Sequence, residues 1–157
     1  MIRRSLLTAV LVIVGSVVLA PKTMAQTVDV PFTGSVNGAC TFGQVTPGKL
    51  GLNQPTSPTA LAGGFSGGVF GQVSVSCNQP ARVSISQPQQ TGGPAFTPMF
   101  SAGHINSPVG STDSNSGSPL PLPTGGSVPL SVDMIVDKGS PLVPGNYSYI
   151  TTLTIVP

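Results

Sequence analysis

Very few side chains in this sequence could carry out chemistry. His104 is the only histidine, and the acidic residues are four aspartates, Asp29, Asp113, Asp133 and Asp137. Hydrolysis by a nucleophile needs an adjacent histidine with an orienting acid, and glycoside cleavage needs two carboxylates that flank the sugar. His104 stands in the segment SAGHINSP, which reads as a loop, so a solvated side chain is expected. The sequence therefore predicts a protein that is not an enzyme and has no cofactor.

The two cysteines, Cys40 and Cys77, are the other candidates for chemistry. In an exported chain an even pair is most simply a disulfide, and a reactive or metal-binding thiol pair is the alternative. A zinc site requires four ligands, which two cysteines and one histidine cannot supply. We therefore expect a disulfide and no metal site.

Residues 1–25 are typical of a secretory signal peptide. Arg3 and Arg4 precede an apolar run over 6–20, and the small residue Ala25 suits a cleavage site. The run is shorter than the roughly 20 apolar residues that a membrane-spanning helix requires. We expect cleavage after Ala25 and export of the remaining chain without a membrane anchor.

Charge is sparse in the chain that cleavage would leave. Its cationic residues are Lys49, Arg82 and Lys138, so three minus the four aspartates gives a net charge of −1. Nucleic-acid binding requires clustered lysine and arginine to displace counterions from phosphates. A nucleic-acid partner is therefore not expected.

Alternating apolar and polar residues predict β-strands. The pattern predicts a half-buried strand over 28–36, a long strand over 127–137 and a final strand over 147–156. Residues 71–77 and 81–86 alternate on either side of a short connection, which favours an antiparallel hairpin. Weaker strand candidates cover 40–45, 49–52 and 95–100.

The remaining pattern supports an all-β fold. Helices are poorly supported, because no segment shows a 3.6-residue period and the chain contains no glutamate. Residues 87–127 are rich in proline, glycine and serine and read as long loops with one or two short strands. In residues 127–137, Asp133 and Asp137 fall on the face opposite to the apolar residues. Several short strands with Gly/Pro turns in one domain suggest a β-sandwich.

Three stretches together resemble the chaperone–usher pilins, including secreted subunits with a spore-coat-protein-U-type domain: VDVPFTGSVNGACTF, VSVSCNQPARVSI and VPGNYSYITTLTIVP. The resemblance implies an immunoglobulin-like Greek-key sandwich over 37–157 that lacks its final strand, with Cys40–Cys77 as the family disulfide. It also implies that a periplasmic chaperone fills the gap until the N-terminal extension of the next subunit replaces it. An outer-membrane usher would be the second assembly partner.

The same resemblance assigns candidate site residues. It makes residues 26–36 a donor strand, with Val28, Val30 and Phe32 entering the groove of a neighbour. Residues 145–156 would line that groove through Tyr147, Tyr149, Leu153 and Ile155. The implied function is a structural subunit of a surface fibre (pilus) or coat, assembled with copies of itself or related subunits.

The last predicted strand leaves two hypotheses open. It carries no charged side chain from Asn146 to Pro157, and uncharged β-branched edges accept further strands. The added strand could come from another molecule, which gives a fibre. Alternatively, the chain's own N-terminal strand could close the sandwich and give a secreted monomeric binding or adhesion module.

Overall fold

A computed structural model describes residues 27–156 of the protein. Residues 27–35 belong to one compact unit and residues 36–156 to another. The predicted signal peptide lies outside the described residues.

In chain order the strands are β1 (Cys40–Phe42), β2 (Gly51–Leu52), β3 (Ala60–Ala62), β4 (Gly71–Cys77), β5 (Ala81–Ile85), β6 (Gln89–Gly92), β7 (Phe100–Ser107), β8 (Gly110–Asp113), β9 (Leu120–Leu122), β10 (Ser127–Asp137), β11 (Ser148–Ile150) and β12 (Leu153–Val156).

These strands form antiparallel sheets, so the all-β prediction is confirmed. The large sheet has the order β1-β4-β10-β3-β2, and β7 pairs with the other edge of β10 and with β8. A three-stranded sheet has the order β12-β5-β9, and β11 pairs with β6. Apolar side chains from β4, β7 and β10 pack against those from β5 and β9 in one core. Two sheets that bury their apolar faces against one another are the arrangement of a β-sandwich.

The predicted disulfide is present. Cys40 and Cys77 occupy directly opposed positions on β1 and β4, with an S–S distance of 2.06 Å. A disulfide of this kind indicates an oxidising compartment outside the cytoplasm. Among residues 27–156, no helix is long and apolar enough to cross a bilayer.

The hairpin predicted for residues 71–86 is wrong. β4 pairs with β1 and β10 in the large sheet, whereas β5 pairs with β9 and β12 in the other sheet. In a hairpin the apolar faces of both strands would belong to the same sheet, and another part of the chain would have to cover them. Here the chain crosses the sandwich, and Val75 on β4 and Val83 on β5 belong to the same core, each almost fully buried. Each strand therefore helps to cover the apolar face of the other.

The strand predicted over 127–137 forms with those bounds as β10. Along one edge it pairs first with β4, through Val132, and then with β3, from Ile135 onward. Asp133 lies at this change of partner. Its Oδ1 accepts hydrogen bonds from the backbone N–H groups of Gly63 and Met134, both at 2.7 Å. The carboxylate thus binds backbone donors at the junction between the two neighbouring strands.

Residues 87–127 hold more regular structure than the loops expected there. Four strands, β6 to β9, lie in this segment. The centre of β7 is buried at Ala102 and Ile105, because β7 pairs with β10 on one side and β8 on the other. His104 lies in β7 rather than in a loop, and its side chain is exposed. The candidate strand over 95–100 contributes only Phe100 to β7.

The half-buried strand predicted for residues 28–36 is not formed within the chain. Residues 27–39 contain no strand, and all of their side chains are exposed. Phe32 is 92% exposed and Val28 is 84% exposed. Large apolar side chains in water are costly to leave uncovered, so this segment is a candidate for binding elsewhere.

Candidate functional site

A cavity of about 800 Å³ opens along one side of the sandwich. One wall is the segment 42–50, which begins at the last residue of β1. The opposite wall is formed by residues 147–153, and side chains of β4 and β10 line the space between them, including Val73, Val132 and Met134. We call this space the groove.

The C-terminal wall presents one face to the interior. Tyr147, Tyr149, Leu153 and Ile155 are half-buried, and the residues that alternate with them are exposed. Tyr147, Tyr149 and Leu153 line the groove, whereas Ile155 packs against the core beside Leu153. The structure therefore brings three of the four predicted groove residues to the cavity. The predicted final strand is divided into β11 and β12, with an interruption at residues 151–152.

The core is incompletely covered beside the groove. Val132 and Leu153 pack against the buried cluster yet remain half-exposed, and both line the cavity. By contrast, Leu130, two residues earlier on β10, is fully buried. Apolar core residues that border an open cavity gain free energy when another apolar group covers them. The groove is therefore suited to an apolar occupant.

Sequence reasoning missed the other wall. Phe42, Val45 and Val69 line the groove and are 41%, 66% and 57% exposed. The wall is held to the large sheet by isolated bridges from Thr46 and Lys49 rather than by a continuous ladder. Apolar residues in the uncharged stretch 40–48 were the available signal, but their position opposite residues 147–153 depends on the tertiary fold.

A glycine allows this wall to approach the sheet closely. A Cβ atom on Gly48 would lie 2.9 Å from the backbone oxygen of Val69 and from the backbone nitrogen of Gly71. A side chain at this position would push the segment 42–50 away from the sheet and change the width of the groove.

The two edges of the three-stranded sheet differ in their ability to bind another strand. β9 carries Pro121 between Pro119 and Pro123, and proline has no N–H group. Because Pro121 has no N–H group to donate, the hydrogen bonds to β5 must come from Leu120 and Leu122. Backbone groups alternate in direction along a strand, so the nitrogen atoms of all three prolines face away from β5, toward the free edge of β9. This edge of the sheet therefore cannot donate hydrogen bonds to a further strand.

The opposite edge, β12, carries no proline and no charge. Among the described residues it pairs with β5 on one side only. Its free side has backbone donors and acceptors available for a further strand, and it lies beside the groove. Of the two edges of this sheet, β12 is thus the one open to strand addition.

The tyrosines fix the start of the C-terminal wall. The Tyr147 hydroxyl donates a hydrogen bond to the backbone oxygen of Val143 at 2.6 Å, and its ring meets Phe96 edge to face with centroids 6.1 Å apart. Burial, and secondly the neighbouring Tyr147, raise the pKa of Tyr149 above its usual value of 10.0. Tyr149 therefore keeps its proton to a higher pH than an exposed tyrosine does.

This shift predicts a fall in stability at high pH. Above pH 10.0, where a tyrosine of the unfolded chain ionises, the folded chain retains the Tyr149 proton. The unfolded state then binds fewer protons, so the free energy of unfolding decreases as pH rises, until pH exceeds the raised folded-state pKa. Urea unfolding from about pH 8 to about pH 11 measures the effect. Tyr149→Phe should reduce the slope, and an unchanged slope in that variant would contradict the assignment.

Within residues 27–156, no three or more histidine, cysteine or acidic side chains come together as a metal site. Both cysteines are occupied by the disulfide.

Comparison with known proteins adds no further constraint. No protein family, characterised protein or solved structure matches the chain.

Proposed function

We propose that this chain is a structural subunit of an extracellular fibre or surface coat, assembled by strand exchange. In the proposed assembly, residues 26–36 of one molecule occupy the groove of the next and pair with β12. The observation that carries the proposal is the open groove, in which half-covered core residues lie beside a strand edge that can still pair.

The proposed donor matches the groove in chemistry. Val28, Val30 and Phe32 recur at every second position, so in an extended strand they point to one face. Fully burying each such side chain stabilises a complex by about 1.5–3 kcal/mol. The groove offers Leu153, Val132 and other partly covered apolar groups to receive them.

The donor also matches the two C-terminal strands in length. Residues 28–36 in extended form would span about 30 Å, at roughly 3.4 Å per residue. The stretch from the start of β11 to the end of β12, residues 148–156, contains the same number of residues. A donor strand could therefore run beside both β11 and β12.

The resemblance to chaperone–usher pilins supplies the proposed partners. By that resemblance, a periplasmic chaperone would hold the groove before assembly, and an outer-membrane usher would conduct the subunit to the surface. The Tyr147 bond to Val143 is similar to the tyrosine corner of immunoglobulin-like sandwiches. It supports an immunoglobulin-like topology as part of the proposal.

Peptide binding tests the proposal directly. The acceptor is the full chain with Val28, Val30 and Phe32 replaced by serine, so that its own segment no longer competes. A fluorescent peptide of residues 27–36 should bind, and fluorescence anisotropy measures the affinity. Loss of three buried apolar side chains, at about 1.5 kcal/mol or more each, should weaken a peptide with the same serine substitutions by over about 1,000-fold.

A matched control peptide carries Asp29→Asn and Thr33→Ser, which change the opposite face of the strand. It should bind within about threefold of the parent peptide, because these side chains point away from the groove. Equal affinity of the parent and the triple-serine peptide would contradict the proposed register. Absence of binding by every peptide would contradict the proposed function.

A further inference from the structure

A second cavity, of about 580 Å³, lies on the large sheet. It is lined from β10 by Asp133 and Ile135 and from β7 by His104. By strand alternation, Asp133 and Ile135 are on the face opposite to the buried Leu130. This outer-face cavity is thus distinct from the core.

A row of three polar side chains crosses the outer-face cavity. Asp133 on β10 is directly opposite His104 on β7, and His104 is directly opposite Asp113 on β8. Directly opposed residues place their Cβ atoms about 4.5–5.5 Å apart on one face. The chain therefore presents a carboxylate, an imidazole and a second carboxylate in sequence to the cavity.

Both carboxylates are held in place by the backbone. Oδ1 of Asp113 accepts hydrogen bonds from the N–H groups of Asn115 and Ser116, at 2.8 and 2.7 Å. Oδ1 of Asp133 likewise accepts two backbone hydrogen bonds. Within the described residues, neither Oδ2 atom has a hydrogen-bond partner. Each carboxylate is therefore positioned in advance and retains an acceptor, which reduces the entropy lost on binding.

The rest of the outer-face cavity is apolar. Phe65, Phe100 and Ile135 line it beside the polar row. Phe100 is 50% exposed, so part of its side chain is available to a ligand. The cavity thus combines an aromatic and aliphatic side with a hydrogen-bonding side, and its volume lies in the usual range for small-ligand sites.

We infer that the outer-face cavity binds a neutral saccharide. A sugar ring has apolar C–H faces that pack on aromatic rings and hydroxyl groups that both donate and accept hydrogen bonds. The carboxylates supply acceptors, and the imidazole of His104 supplies a donor as well as an acceptor. An organic ammonium ion has no acceptor, so it would leave the N–H donor of the imidazole unused. This inference does not depend on strand exchange, since the cavity and the groove are lined by largely different residues.

Saturation-transfer NMR and calorimetry on the full chain test the inference. The probes are glucose, galactose, mannose, N-acetylglucosamine and lactose, with butylamine as the organic-cation probe. We expect at least one sugar to bind and to be weakened more than tenfold by Phe100→Ala and by His104→Ala. Both side chains are exposed, and circular dichroism should show that the variants remain folded.

Val109→Ala is the matched control, because Val109 is exposed near β7 but does not line the cavity. It should leave sugar affinity within twofold of the parent. The inference is overturned if no sugar binds. It is also overturned if sugar binding survives both substitutions, or if butylamine alone binds in a manner that they abolish.

Discussion

Replacing Val30 and Phe32 together by serine is expected to abolish polymer formation while leaving the domain folded. Both side chains are exposed in the single chain, so their removal does not create a cavity in the core. In the proposed assembly they become buried between subunits, and the double substitution removes about 3–6 kcal/mol from each junction. That loss lowers the association constant by a factor of at least about 100.

Size-exclusion chromatography with light scattering measures the mass of the variant and of the parent at equal concentration. The control variant carries Asp29→Asn and Thr33→Ser on the opposite face of the same segment, and it should assemble like the parent. A double-serine variant with the parent's mass distribution would refute the role of residues 26–36. Urea unfolding should show equal stability for the monomeric domains.

Loss of the disulfide is expected to have the largest effect on stability. The bridge closes a loop across 37 residues, for which the chain-entropy relation gives about 4 kcal/mol. Domains of this size are stable by only about 5–15 kcal/mol in total. The Cys40→Ala, Cys77→Ala double variant should therefore unfold at a much lower urea concentration than the parent.

The same double variant should also bind the donor peptide poorly. Cys40 lies on β1, immediately before the wall 42–50, which isolated bridges hold to the sheet. Without the bridge to β4, that wall loses its covalent anchor.

Reduction of the parent with dithiothreitol should reproduce the stability loss. A free energy of unfolding within about 1 kcal/mol of the parent would show that the bridge is not a major stabilising element.

Local patterns predicted the fold where a strand is long and alternates strictly. β10 formed with its predicted bounds, because Val128, Leu130 and Val136 recur on one face and are buried. The hairpin at residues 71–86 failed for a physical reason. Two alternating strands and a short connection are compatible both with a hairpin and with a crossing between sheets, and the choice depends on long-range pairing.

The strands within residues 87–127 show the same limit. β6 reads QQTG and β8 reads GSTD, and neither contains an apolar alternation. These strands exist because β11 and β7 pair with them, and such pairing leaves no local signal. The assignment of His104 to a loop failed for this reason, and the outer-face cavity could not be predicted from the sequence for the same reason.

The groove was predicted on one side only. The resemblance to pilins assigned Tyr147, Tyr149 and Leu153 to a groove, and these three residues line the cavity. Phe42 and Val45 were not assigned to it, because their wall faces the C-terminal residues only after the sandwich has formed. The blocked edge at β9 could not be recognised from the local sequence either, because the effect of its prolines depends on which strand β9 pairs with.

The most direct test of strand exchange is a denaturing gel of the protein isolated from its native host surface, run without heating beside a boiled sample. Strands exchanged between subunits are expected to survive detergent at room temperature. The unheated lane should therefore show a ladder of multimers that collapses to one band after boiling. A single monomer band in both lanes would contradict the fibre proposal and would favour a monomeric module closed by its own N-terminal strand.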